Sequence, residues 1–224
     1  MIIIDMGSGN TCRNNLEVAK DMISKVTEAL GSTENCFLKW QLFEEAGDNV
    51  PLNIRIYREM LMYAVDQGWE DKITASVFDE VSLWRLLWAH SGISTIPFIK
   101  VACRPDLYPL TQVLPIADTW IVSVSNEADM RVMIERPEVR KALFCVSEYP
   151  AQESDYAWFR FAQIYALEEY AKMGISDHTE GWLQLKEQCF ILAYEFHFRL
   201  PESTGLDAGP WAKTPEQIKE WVNA

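Results

Sequence analysis

The sequence predicts an α/β protein whose eight parallel strands close into a compact, single-domain barrel, and three observations carry that expectation. Short apolar runs rich in β-branched residues recur about every 30 residues, with amphipathic stretches of helical period between most of them. The runs read as continuously apolar, as strands covered on both faces do, and their alternation with helices implies a parallel sheet. Polar residues capable of chemistry fall repeatedly at the C-terminal ends of these runs, where a β/α (TIM) barrel gathers its catalytic side chains at one mouth. An open doubly wound sheet would give the same alternation, so it is the polar strand ends that favour closure.

Taken in order, the strand candidates are Ile2–Met6, Cys36–Gln41, Lys72–Val77, Phe98–Ala102, Trp120–Val124, Ala142–Val146, Ala171–Ser176 and Leu192–His197. The clearest helix is Asn15–Leu30, with Leu16, Ala19, Ile23, Val26 and Leu30 on one face and Gly31 placed to cap its C-terminus. The others are Asn53–Gln67, Val81–His90, Glu127–Glu135, Asp155–Glu169, Leu183–Cys189 and Pro215–Val222. Each strand end carries a polar group. Asp5 closes the first, Lys39 and Gln41 the second, Ser76 the third and Lys100 the fourth; Ser123, then Ser147 and Tyr149, follow on the fifth and sixth. Ser176, Asp177 and His178 close the seventh, Glu195 and His197 the eighth. A lysine or histidine inside an apolar strand is costly unless it lines a cavity or is paired.

Composition narrows the function classes. Twenty basic against 33 acidic residues give a net charge of −13 over 224 residues, without the basic footprint that nucleic acid or an anionic membrane would need. No run approaches the ~18 apolar residues of a membrane span, and Asp5 interrupts the apolar start before a secretory segment could form. A soluble, cytoplasmic protein is therefore expected. Five scattered cysteines without a C-x-x-C pair read as reduced thiols, and nine tryptophans read as core filling.

Of three histidines, His90 closes a helix and reads as a solvated or capping residue. His178 and His197 end neighbouring strands and can converge on one divalent cation, with Asp5, Asp177, Glu195 and Asp207 as nearby carboxylates.

Several segments, in order along the chain, resemble the sialic acid (N-acetylneuraminate) synthase family. IIIDMGSGN followed by NNLEVAKDMI resembles that family's Ala-Glu-Ile-Gly start and Leu-Glu-x-Ala-Lys helix. LKWQ, ASVFDE and FIKVAC resemble Val-Lys-Phe-Gln, Ser-Thr-Pro-Phe-Asp and Phe-Lys-Ile-Ala-Ser; CVSEYPA, GISDHTEG and YEFHFRL resemble the Cys-x-Ser/Asn-x-Tyr-Pro, Gly-Tyr-Ser-Asp-His-Thr and Glu-Lys-His-Phe-Thr-Leu motifs. The resemblance implies a synthase that condenses phosphoenolpyruvate with an aldose such as N-acetylmannosamine, forming a 2-keto-3-deoxy sugar acid and releasing phosphate. It implies that His178 and His197 bind a divalent metal, manganese first, with magnesium or cobalt as alternatives. Asp5, Lys39 and Glu195 take catalytic positions. Gln41, Ser76, Lys100, Cys103, Ser123, Ser147, Tyr149, Ser176 and Asp207 take substrate-binding positions, and a homodimer is an open alternative.

The sequence also departs from that pattern. Asp5 replaces a glutamate, Gly9-Asn10 an Asn-His pair, Cys103 a phosphate-binding serine, and Arg104-Pro105 a Gly-Glu pair. The loop Phe43–Pro51 is short, and the expectation is one barrel over residues 1–224 without the family's C-terminal antifreeze-like domain. Two other functions stay open: a metal-dependent lyase or isomerase that does not use phosphoenolpyruvate, and a non-catalytic binding barrel.

Overall fold

The structure, a computed structural model, describes residues 2–45, 47–101, 105–107, 109–110, 120–124, 143–148, 173–177, 191–198 and 214–222, with the backbone alone for 105, 121–124, 143–148, 173–177, 191–197 and 221–222. The chain divides into two compact units, Ile2–Pro97 with Phe196–Ala224, and Phe98–Glu195.

In the first unit β1 (Ile2–Gly7), β2 (Cys36–Leu42) and β3 (Ile73–Val77) run parallel. The register pairs Asp5 with Lys39, Lys39 with Thr74, and Gln41 with Ser76, and a one-residue irregularity falls between Asp5 and Gly7. Paired residues of parallel strands share a face, and successive residues alternate faces. One face therefore carries Ile4, Leu38, Trp40, Leu42, Ala75 and Val77, all buried. The opposite face carries Asp5, Lys39, Gln41, Thr74 and Ser76. Apolar strands interrupted toward their C-terminal ends by polar side chains on one face thus make a sheet with one oily and one chemically equipped side.

Between the strands lie α1 (Gly9–Cys12), α2 (Leu16–Leu30), α3 (Ile54–Ala64), which continues in wider turns to Trp69, and α4 (Glu80–His90); α5 (Pro215–Val222) returns to pack on α2. Each long helix starts where the sequence offers an oxygen to its unpaired amides. Asn15 accepts from Glu17 and Val18, and Asn53 from Arg55. Asp79 accepts from Ser82 at 2.6 Å through one oxygen and from the Glu44 amide at 2.9 Å through the other, so one residue caps α4 and holds the loop after β2. α2 ends on Gly31 at φ 67°, the left-handed conformation suited to glycine.

The second unit contains β4 (Ile99–Val101), β5 (Trp120–Val124), β6 (Leu143–Glu148), β7 (Met173–Asp177) and β8 (Ile191–His197), paired in parallel in that order; β8 ends in the first unit through Phe196 and His197. Every strand lies within two residues of its expected bounds. The expected helices Glu127–Glu135, Asp155–Glu169 and Leu183–Cys189 fall outside the described residues.

Two expectations are corrected. His90 is not solvated: it is 3% exposed, with Tyr57 Oη 2.9 Å from Nε2 and Ser94 Oγ 3.0 Å from Nδ1. Nor do the tryptophans uniformly fill the core. Trp40 and Trp69 are buried, whereas Trp84 and Trp88 on α4 stand half exposed. Among the described residues Cys12 and Cys36 are buried and in no disulfide, and no helix is long and apolar enough to cross a membrane.

Candidate active site

The polar face of the first unit brings four of the sequence-predicted residues into one cluster. The Lys39 ammonium donates to Asp5 Oδ2 at 2.6 Å and to Ser76 Oγ at 2.8 Å. Gln41 Nε2 donates to the same Asp5 oxygen at 3.0 Å, and the Gly7 amide donates to Asp5 Oδ1 at 2.9 Å. Asp5 is thus gripped from three sides, and the amide contact comes from its own strand just past the register irregularity. Asp5, Lys39 and Ser76 are each at most 3% exposed. Taking an ammonium and a carboxylate out of water costs several kcal/mol per ion before their attraction is counted, so such a pair is poor evidence for stability as its purpose. A pre-oriented ammonium, carboxylate, amide and hydroxyl are the groups needed to hold an anionic substrate and move a proton.

A second row of polar positions follows from backbone register in the other unit. Ser147 pairs with Ser176, Ser176 with Glu195, and Ser123 with Cys145. Ser147, Ser176 and Glu195 therefore occupy matching positions on three successive strands. Lys100, opposite Ile121 in β4, is buried.

His197 is the last residue of β8, and the next residue, Phe198, donates its amide to the Asp5 carbonyl at 2.8 Å. That bond brings the chain at His197 alongside β1 at Asp5. His178, Cys103, Tyr149 and Asp207 lie outside the described residues. Among the described residues no three or more His, Cys, Asp or Glu side chains form a cluster that could hold a metal.

Beside this face the two loops that follow β1 and β2 are latched together. The Gly9 amide donates to Val50 O at 3.0 Å, and the Val50 amide to Asn10 Oδ1 at 2.6 Å. Asn14 donates to Pro51 O at 2.9 Å and accepts from the Asn53 amide at 2.7 Å. A Cβ on Gly9 would lie 2.6 Å from Pro51 O and 2.7 Å from Val50 O, so the close approach requires glycine. Sequence reasoning missed this latch and also missed Thr74, fully buried on the site face two residues before Ser76. The spacing of two was the available signal for Thr74.

Parallel strands alternating with helices, with an ion pair buried on the polar face of the sheet, define an α/β protein with a parallel sheet. No family model and no curated protein matches the sequence. Solved structures do match: the fold is similar to that of an N-acetylneuraminic acid (sialic acid) synthetase from Leptospira borgpetersenii serovar Hardjo-bovis, crystallised in complex with citrate. The TM-score is 0.72 and the identity 19%, over 99% of this chain and 81% of that one. At this identity the likeness establishes the shared α/β fold.

Proposed function

We propose that the chain is a sialic-acid-synthase-like enzyme built as one closed, eight-stranded β/α barrel, which condenses phosphoenolpyruvate with an aldose and releases phosphate. The observation that carries this is the cluster of Asp5, Lys39, Gln41 and Ser76, four residues chosen from their motifs and joined by hydrogen bonds of 2.6 to 3.0 Å. The fold similarity over nearly the whole chain supports it.

In this mechanism Lys39 and Lys100 supply positive charge to the trianionic substrate inside a chain of net charge −13, a local concentration that opposes the field of the whole molecule. Ser76, Ser123, Ser147, Ser176 and Tyr149, with Cys103 in place of a serine, donate to its phosphate and carboxylate. Gln41 and Asp207 position the aldose. The enol carbon forms a bond to the aldehyde carbon, whose oxygen takes up a proton; water adds to C2 and loses one proton, and the C2–O bond to phosphate then breaks as the new C2 hydroxyl gives up its remaining proton and becomes the keto oxygen. Asp5 and Glu195 are the carboxylates for those protons.

His178 and His197 would hold a divalent cation, manganese first. What supports this is the backbone alone, which brings the His197 position beside Asp5 through the Phe198 amide; imidazole nitrogen and carboxylate oxygen are ligands that such an ion accepts. Bound there, the ion would polarise the aldehyde oxygen.

The binding half of this proposal is tested by thermal shift. Ligand that binds only the native state stabilises it by RT ln(1 + [L]/Kd), about 2.7 kcal/mol at a hundredfold excess over Kd, or roughly 5–10 °C for a domain of this size. Phosphoenolpyruvate is expected to raise Tm on this scale. No rise at millimolar phosphoenolpyruvate contradicts the proposal and leaves the lyase or isomerase alternative standing.

A further inference from the structure

The outer face of α3 and α4 carries a feature that the proposed chemistry does not use. Val81, Trp84 and Trp88 recur at helical spacing on α4 and are 48%, 50% and 53% exposed. With Ile54, Arg55 and Arg85 they line a groove of roughly 410 Å³. Polar anchors fix its walls. Arg58 stacks over the Trp88 ring, 5.1 Å from its centroid, while donating to the carbonyls of Trp88 and Ala89 at 2.9 and 2.6 Å. Trp84 Nε1 donates to Glu80, and Arg85 is paired with Glu44. The tryptophans make these contacts while standing open to solvent.

We infer that this groove docks a short acidic segment of a partner protein, with apolar side chains seated between Trp84 and Trp88 and carboxylates meeting Arg55 and Arg58. Two observations select this occupant. The first is charge. In a chain of net charge −13 the groove is lined by Arg55 and by Arg85, the latter paired with Glu44, with Arg58 beside it over Trp88; among the described residues no carboxylate pairs with Arg55 or Arg58. Arg58 spends its bonds on the carbonyls at the C-terminal end of α4 and has no carboxylate partner.

The second observation is area. A tryptophan buries about 150–250 Å² when covered; half of two tryptophans and one valine leaves roughly 300 Å² of apolar surface. That is the scale of a functional patch on a monomer and below the apolar share, somewhat over half, of the ~800 Å² per partner of a stable globular interface. A second copy of this chain meeting groove to groove would set arginines against arginines. A short segment matches both the size and the sign.

The test uses the full chain and a fluorescein-labelled synthetic 12-residue peptide in which Glu alternates with Leu and Phe, beside a counterpart with Lys for every Glu. Anisotropy is expected to show saturable, micromolar binding of the acidic peptide alone, weakened as salt rises. Trp84→Ser and Arg55→Glu are each expected to lower the affinity about tenfold, with unchanged far-UV circular dichroism. Arg55→Glu is a surface change that keeps the test valid if Trp84→Ser fails to fold, and it leaves any phosphate release unaltered. Equal binding of the basic peptide, no binding at ~1 mM peptide, affinity unmoved by Arg55→Glu, or sedimentation of the protein as a dimer that Trp84→Ser dissociates would each overturn the inference.

Discussion

Lys39→Met removes one half of the buried pair and is the sharpest probe of the site's architecture. Asp5 would keep the Gly7 and Gln41 donors, at 2.9 and 3.0 Å, but lose its ammonium in a position 2% exposed to water. At 2.6 Å and an effective dielectric of ~20 the Coulomb attraction of the pair is about 6 kcal/mol, most of it offset by desolvation. Breaking such a pair by removing one partner costs about 3–5 kcal/mol, whereas replacing both with apolar residues of similar volume is close to neutral. Lys39→Met and Asp5→Leu are therefore each expected to lose about 3–5 kcal/mol. The double variant should lose far less than the sum, with a coupling of at least ~2 kcal/mol. Urea unfolding followed by circular dichroism and tryptophan fluorescence measures all four corners of the cycle. Single losses below ~1 kcal/mol, or a double variant that is simply additive, would refute the pairing.

Burial is the main force lowering the His90 pKa, to about 4 from 6.5. A histidine with a depressed folded pKa leaves stability intact above pH 6.5; as pH falls from 6.5 to about 4 only the unfolded chain takes up the proton, and stability drops by about 3 kcal/mol before levelling off. Denaturation curves over that range should show the slope in the wild type and a flatter one in His90→Gln. Gly9→Ala should cost about 1–3 kcal/mol and separate the latched loops, because its Cβ meets two carbonyl oxygens under 3 Å; hydrogen exchange at the Val50 amide should speed up, and unchanged protection would refute the latch. Asp79→Ala should cost about 1–2 kcal/mol through loss of the α4 cap, while Asp79→Asn loses less, as thermal unfolding can show.

Most of the strand and helix positions were legible because the signal is local. Asp5, Lys39, Gln41 and Ser76 stood out as polar groups inside apolar strands, and the register shows why they meet: paired residues on parallel neighbours share a face. Thr74 escaped because threonine is itself a good strand former and reads as sheet rather than site. The burial of His90 depends on Tyr57, 33 positions away on another helix, which no periodicity reveals. Trp84 and Trp88 were misread for a related reason. The helix EVSLWRLLWAH is apolar on several sides, so its pattern does not say which side the rest of the protein covers. The Gly9 latch joins loops about 40 residues apart, and only the three-dimensional approach of their backbones makes glycine necessary there.

Phosphate release from phosphoenolpyruvate, with Mn²⁺ and a panel of four- to six-carbon aldoses including the N-acetylated ones, tests the central claim most directly. Release that requires all three components and disappears in both Lys39→Met and His178→Ala is the expected result. A folded wild-type protein that releases no phosphate with any aldose on the panel would contradict it.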